Sequence, residues 1–195
     1  MAGVFINYRT GNGDKEATLV DEALRREFGD EMVFRDHRAI GRGADYRVEL
    51  LQNLERCSVL LVLMGSDWLT QADSSGHRRI DDPADWVRME IASMLAWRRK
   101  VIPLLLNDAP LPEPRELPYE IAELPNRQAM YLRTKHADQD LPLILDEVRK
   151  EVPGRRRHDG EGRTSGGTTL KNPKRNAIAL GSGDAEYFEG RNREE

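Results

Sequence analysis

One cysteine, Cys57, in 195 residues leaves no pair to cross-link. That excludes an internal disulfide framework and fits a reducing compartment. Cys57 lies between a helical pattern and an apolar run, a place for packing rather than catalysis. Long apolar runs are missing too. The longest, Val59 to Met64, falls far short of the roughly 20 residues that a bilayer-spanning helix needs. The amino terminus has no basic region ahead of a long apolar core, so no signal peptide is expected. Neither sign of charge dominates. Charged residues make up 33% of the chain, yet the net charge is only −4. No lysine- or arginine-rich face recurs at helical spacing, so nucleic acid is not an expected partner. What is left is a soluble, cytoplasmic chain with no membrane association, its charges spread over solvated surface.

Metal and cofactor signatures are lacking as well. The histidines, at 37, 77, 136 and 158, show no ligand spacing for zinc, and no metal is expected. Gly11 and Gly13 flank Asn12, and Gly41 and Gly43 flank Arg42. Neither Gly-x-Gly extends to a dinucleotide fingerprint, and Lys15 is not preceded by the spacing of a phosphate-binding P-loop. These glycines read as turn residues, and no resident cofactor is expected. A phosphate-accepting receiver domain would need an aspartate at the end of its third strand, where this chain has Met64 and Gly65.

What the chain does have is alternation of short apolar runs with helical patterns. Gly3 to Tyr8 reads as a buried strand. Asp14 can cap a helix with Val20, Ala23, Leu24 and Phe28 on its apolar face. Met32 to Phe34 is a second strand, followed by a glycine-containing loop and a helix carrying Val48, Leu51 and Leu54. Val59 to Met64 is apolar at every position, as in a strand covered on both faces. A polar loop from Gln71 to Asp81 leads to a helix with Asp82 as N-cap, Pro83 in its first turn and Val87, Ile91, Met94 and Leu95 as its stripe. Val101 to Leu106 is a fourth strand in which Pro103 predicts a local irregularity. A proline-rich loop over 110–125, a fifth strand over Ala129 to Leu132 and a helix over 140–151, with Leu143, Ile144, Leu145 and Val148, complete the pattern. Such alternation predicts an α/β fold of right-handed βαβ units. Five strands favour the order 2-1-3-4-5, whose ligands bind at the carboxyl ends of the strands near the order switch. One domain over 1–152 is expected. From 153 to 195 large apolar residues are few among Arg, Gly, Ser, Thr and Asn, and a disordered polar tail is predicted.

Three segments carry a family resemblance. Val4, Phe5, Ile6, Asn7, Tyr8 and Arg9 resemble the opening box of Toll/interleukin-1 receptor (TIR) domains, typically Phe-Ile-Ser-Tyr-Arg. Val33 to Asp36, continuing through Gly41, resembles the second box and its BB loop, without the proline frequent there. Asp85 to Ile91 resembles the helix that bears the essential glutamate of bacterial-type TIR-domain NAD⁺ hydrolases. The three stand in order, at the right intervals, over about residues 3–150. The resemblance implies a flavodoxin-like TIR fold and NAD⁺ nucleosidase chemistry, with Glu90 catalytic and NAD⁺ as substrate rather than cofactor. It implies substrate contacts from Tyr8, Arg9, Trp86 and Asp36, with Arg9 suited to the pyrophosphate. A partner-binding BB loop containing Ile40, Gly41, Arg42 and Gly43, activation by self-association, and a role in immune defence or host manipulation are also implied.

Trp86 and Glu90 are four residues apart and share a helical face, which is expected to adjoin the buried stripe without belonging to it. One carboxylate can suffice for this reaction. Nicotinamide leaves neutral, so no general acid is required, and a carboxylate can stabilise the ribosyl cation. Whether the product is ADP-ribose or a cyclic isomer stays open, and a non-catalytic TIR scaffold or adaptor is the alternative function.

Overall fold

Cys57 to Met64 forms the central strand (β3), buried at every position but Ser58. The computed structural model describes residues 2–11, 13–35 and 46–154. Around β3 lie β1 (Gly3–Asn7), β2 (Val33–Arg35), β4 (Lys100–Leu106) and β5 (Met130–Leu132), in the order β2-β1-β3-β4-β5. Every neighbouring pair is parallel, with Val4 opposite Val33, Phe5 opposite Leu60, Val62 opposite Pro103 and Leu104 opposite Met130. The α/β fold and the strand order are those expected from the sequence.

Parallel strands place successive side chains on opposite faces, and this sheet divides its apolar residues accordingly. Val4, Ile6, Leu61 and Leu104 pack against helix α1 (Asp14–Phe28) and helix α4 (Ala137–Arg149). Phe5, Leu60, Val62 and Leu105 face the other way, toward α2 (Tyr46–Glu55) and α3 (Trp86–Ala96). Two cores thus share one sheet, and both close before the described chain ends, with Val152 fully buried.

Several elements differ in detail from the sequence reading. On α2 the buried residues are Leu50 and Leu54, whereas Val48 is 51% and Leu51 36% exposed. On α4, Ile144 and Val148 are buried but Leu143 is 60% exposed. Helix α4 starts at Ala137 rather than near 140, which puts Pro142 inside it. Asp140 accepts hydrogen bonds from the Arg133 backbone N–H and guanidinium, folding the preceding turn onto the helix. Pro103 brings no register shift between β3 and β4, and pairing with β5 begins only at Leu104. Gly13, not Asp14, stands at the N-cap of α1, with φ 93°. A Cβ there would meet only the end of the Leu106 side chain, Cδ1 at 2.7 Å, so it is the left-handed conformation that calls for glycine. Asp14 opens the helix and accepts from the Gly11 N–H instead. The proline-rich segment carries three short 3₁₀ turns that bury Ile121 and Leu124. The predicted tail lies outside the described residues beyond Gly154.

Candidate functional site at the carboxyl ends of the strands

β1 ends at Asn7, fully buried, with Tyr8 and Arg9 following it. The Asn7 Nδ2 donates to Glu90 Oε2 at 2.6 Å and to the Val87 carbonyl at 3.3 Å. This seats the first half of α3 against the carboxyl end of β1, beside the switch in strand order between β1 and β3, where folds of this kind bind ligands. Glu90 is only 2% exposed. It therefore belongs to the buried face of α3, with Val87, Ile91 and Met94, and does not merely adjoin it as expected. A carboxylate withdrawn from water needs compensating donors, and one hydrogen bond to a charged group contributes about 1.5–3 kcal/mol.

Arg9 is 1% exposed. Its Nη1 and Nη2 donate to the two oxygens of Asp85 at 2.7 and 2.9 Å, and its guanidinium lies 5.9 Å from the centre of the Trp68 ring. Asp85 is the N-cap of α3 and accepts the Arg88 N–H at 3.0 Å. Arg79 approaches the same carboxylate at 3.8 Å. The helix thus begins three residues later than the N-cap expected at Asp82 would place it. Asp82 instead closes a local turn by accepting from the Ala84 N–H, a side-chain bond that competes with helix initiation. Tyr8 is buried, with the Arg35 guanidinium 4.7 Å from its ring centre. Arg35 in turn donates to Thr18 at 3.0 Å. Trp86 is half-buried against the α2/α3 core, one turn before Glu90.

Of the residues singled out in the sequence, Tyr8, Arg9, Trp86 and Glu90 lie on β1's exit and the first turns of α3. Asp36, Ile40, Gly41, Arg42 and Gly43 lie outside the described residues. Asn7 and Asp85, which carry most of the polar contacts, were part of the two motifs but were not picked out as site residues. Asn7 occupies the position of the serine in the typical opening box, so its place in the motif was a usable signal. A cavity of about 250 Å³ opens at this end of the sheet, lined by Gly11, Gly13, Ser66, Asp67 and Asn107 among others. A larger one, about 520 Å³, lies by Arg99 and Lys100 at the amino end of β4, the opposite end from Glu90. No group of three or more His, Cys, Asp or Glu among the described residues is arranged to hold a metal ion. Nor, among them, is any helix long and apolar enough to cross a membrane.

A five-stranded parallel sheet in this order, flanked by helices on both faces, defines a flavodoxin-like α/β domain. Residues 4–145 match the family model of the TIR domain, and the chain belongs to the TIR domain family. Its structure is similar to the TIR domains of the activated Roq1 resistosome directly recognizing the pathogen effector XopQ. That likeness has a TM-score of 0.54 and 12% sequence identity, and it covers 77% of this chain and 98% of that one. At such identity the likeness is one of fold. No curated protein matches the chain in sequence.

Proposed function

We propose that this TIR domain cleaves NAD⁺ at its nicotinamide–ribose bond, with Glu90 as the catalytic carboxylate. The observation that carries the reading is a glutamate buried at the carboxyl ends of the strands and bonded by Asn7 at 2.6 Å. A purely structural position on that face would hold an apolar residue, as its neighbours do. In the reaction the C–N glycosidic bond breaks, and its electron pair stays on the pyridine nitrogen, giving neutral nicotinamide. The ribosyl cation left behind is stabilised by the Glu90 carboxylate. Water then adds at the anomeric carbon and releases its proton to solvent, giving ADP-ribose. Attack by the substrate's own adenine in place of water would give a cyclic isomer.

The other residues take supporting parts. Trp86 offers an aromatic face to nicotinamide or adenine. Tyr8 walls the cleft from β1, and the substrate contact from Asp36, outside the described residues, rests on the family resemblance. Both terminal nitrogens of Arg9 are taken by Asp85, so its part is to hold α3 rather than the pyrophosphate. The BB loop around Ile40, Gly41, Arg42 and Gly43 is the contact for a neighbouring TIR domain. Exposed Val48 and Leu51 on the following helix favour such self-association, and immune signalling is the context proposed for it.

The test is incubation of the purified chain with NAD⁺ and chromatography for nicotinamide, ADP-ribose and its cyclic isomers. Glu90→Ala should lower nicotinamide release by at least about 10²-fold while the circular dichroism spectrum stays that of the parent. Equal rates in parent and variant would remove Glu90 from the chemistry and leave the scaffold function standing.

A further inference from the structure

We propose that Asn7 is the positioning residue for the Glu90 carboxylate: its amide sets the direction in which the buried carboxylate faces. The inference rests on the reading of Glu90 as the catalytic group. Both partners of Nδ2, the Glu90 carboxylate and the Val87 carbonyl, are acceptors. Reversing the amide would set its own oxygen against them, so its orientation is fixed chemically. The Asn7 Oδ1 is buried and has no hydrogen-bond partner among the described residues.

That unbonded oxygen bears on the argument. A residue placed there for packing alone would be apolar, as Val4, Phe5 and Ile6 before it are. An asparagine that leaves its own oxygen unbonded weakens the fold, and such a group calls for an explanation. The explanation is its N–H₂. A planar group on the last residue of β1 aims one donor at the first turn of α3 and at the side chain one turn on. Glu90 is thereby preorganised by the sheet, not merely carried by a helix. Helix α3 packs against β1, β3, β4, α2 and the turn at Tyr119–Ile121. Ion pairs around its first turns include Arg9 with Asp85, Arg79 with Asp85 and Arg88 with Glu120. Asn7 is itself a neutral donor, so its own bond orients the carboxylate without neutralising it.

Three variants of the full chain test this: Asn7→Asp, Asn7→Leu and Asn7→Ser. The readouts are kcat and KM for NAD⁺ and the ¹³C signal of the Glu90 carboxyl carbon, assigned by its loss in Glu90→Gln. Asn7→Asp keeps the size but sets a second carboxylate against Glu90, so the two must share a proton. At pH 7 the Glu90 signal should move toward its protonated position, and the acid limb of the kcat profile should shift to higher pH. The kcat should fall at least about tenfold, the scale of losing a supporting hydrogen bond, with a smaller change in KM. Asn7→Ser keeps a donor and should recover part of kcat relative to Asn7→Leu. An unmoved Glu90 signal in folded Asn7→Asp, or a parental kcat in Asn7→Leu, would overturn the proposal. If Asn7→Asp does not fold, the Glu90 signal of Asn7→Leu decides in its place. If the parent chain releases no nicotinamide, the NAD⁺ reading falls, while the carbon signal still decides whether Asn7 governs Glu90.

Discussion

Cys57 opens β3 with its side chain fully buried, and its thiol donates to the Asn53 carbonyl at 3.2 Å. Burial pushes its pKa up to about 12, against smaller opposing effects from Arg56 and Arg99. A thiol in an unfolded chain ionises near 8.5. Between that pH and about 12 the unfolded chain holds fewer protons than the native one, so stability falls as pH rises through this window. At pH 8 the native protein should leave a thiol-specific chromophore unreacted, and one equivalent should react once denaturant is added. Prompt reaction of the native protein would show a thiolate accessible at neutral pH. Burial does not separate this inert sulfur from the carboxylate of Glu90. The glutamate is as deeply placed but has a charge-stabilising donor beside it.

At the scale of elements, the joint between β1 and α3 is the polar centre of the fold. Arg9 and Asp85 are both buried, and breaking a buried pair by neutralising one partner costs about 3–5 kcal/mol, because the remaining charge is stranded. Asp85→Asn is the informative substitution, since asparagine still caps a helix well and only the charge is lost. Its unfolding free energy, measured by urea titration, should fall by an amount in that range, while Asp82→Asn, on an exposed turn, should stay within about 0.5 kcal/mol of the parent. Equal effects of the two would mean that Arg9 is satisfied without Asp85. The sequence made the elements legible, because five apolar runs and their helical partners repeat a pattern with few solutions. It also made Trp86 and Glu90 legible through spacing and motif. It did not disclose the burial of Glu90, since a charged residue between Met89 and Ile91 reads as a break in the apolar stripe. A donor that offsets its burial, Asn7, lies on a strand far away in the sequence. The rotation of α2 was hidden for a related reason. Val48, Leu50, Leu51 and Leu54 allow more than one apolar face, and packing selected Leu50 and Leu54.

For the molecule as a whole, self-association is the property that the proposed function adds to the fold. Helix α2 leaves Val48 and Leu51 uncovered, and the segment before it, 36–45, carries the residues assigned to a neighbouring TIR domain. Under that reading, nicotinamide release per molecule should rise with protein concentration and on immobilisation at high density. Charge reversal at Arg42 should blunt the rise without lowering the melting temperature. Specific activity independent of concentration, down to the lowest level measured, would make the single subunit competent and the assembly step unnecessary. The contact between Asn7 and Glu90 spans 83 residues of chain, and it gives the site a place in time. While the chain is being synthesised, the first strand emerges long before the helix that it must meet. Until the two dock, the glutamate is an ordinary hydrated side chain. A nascent chain, or a proteolytic fragment that carries α3 without the first strand, therefore lacks the site altogether.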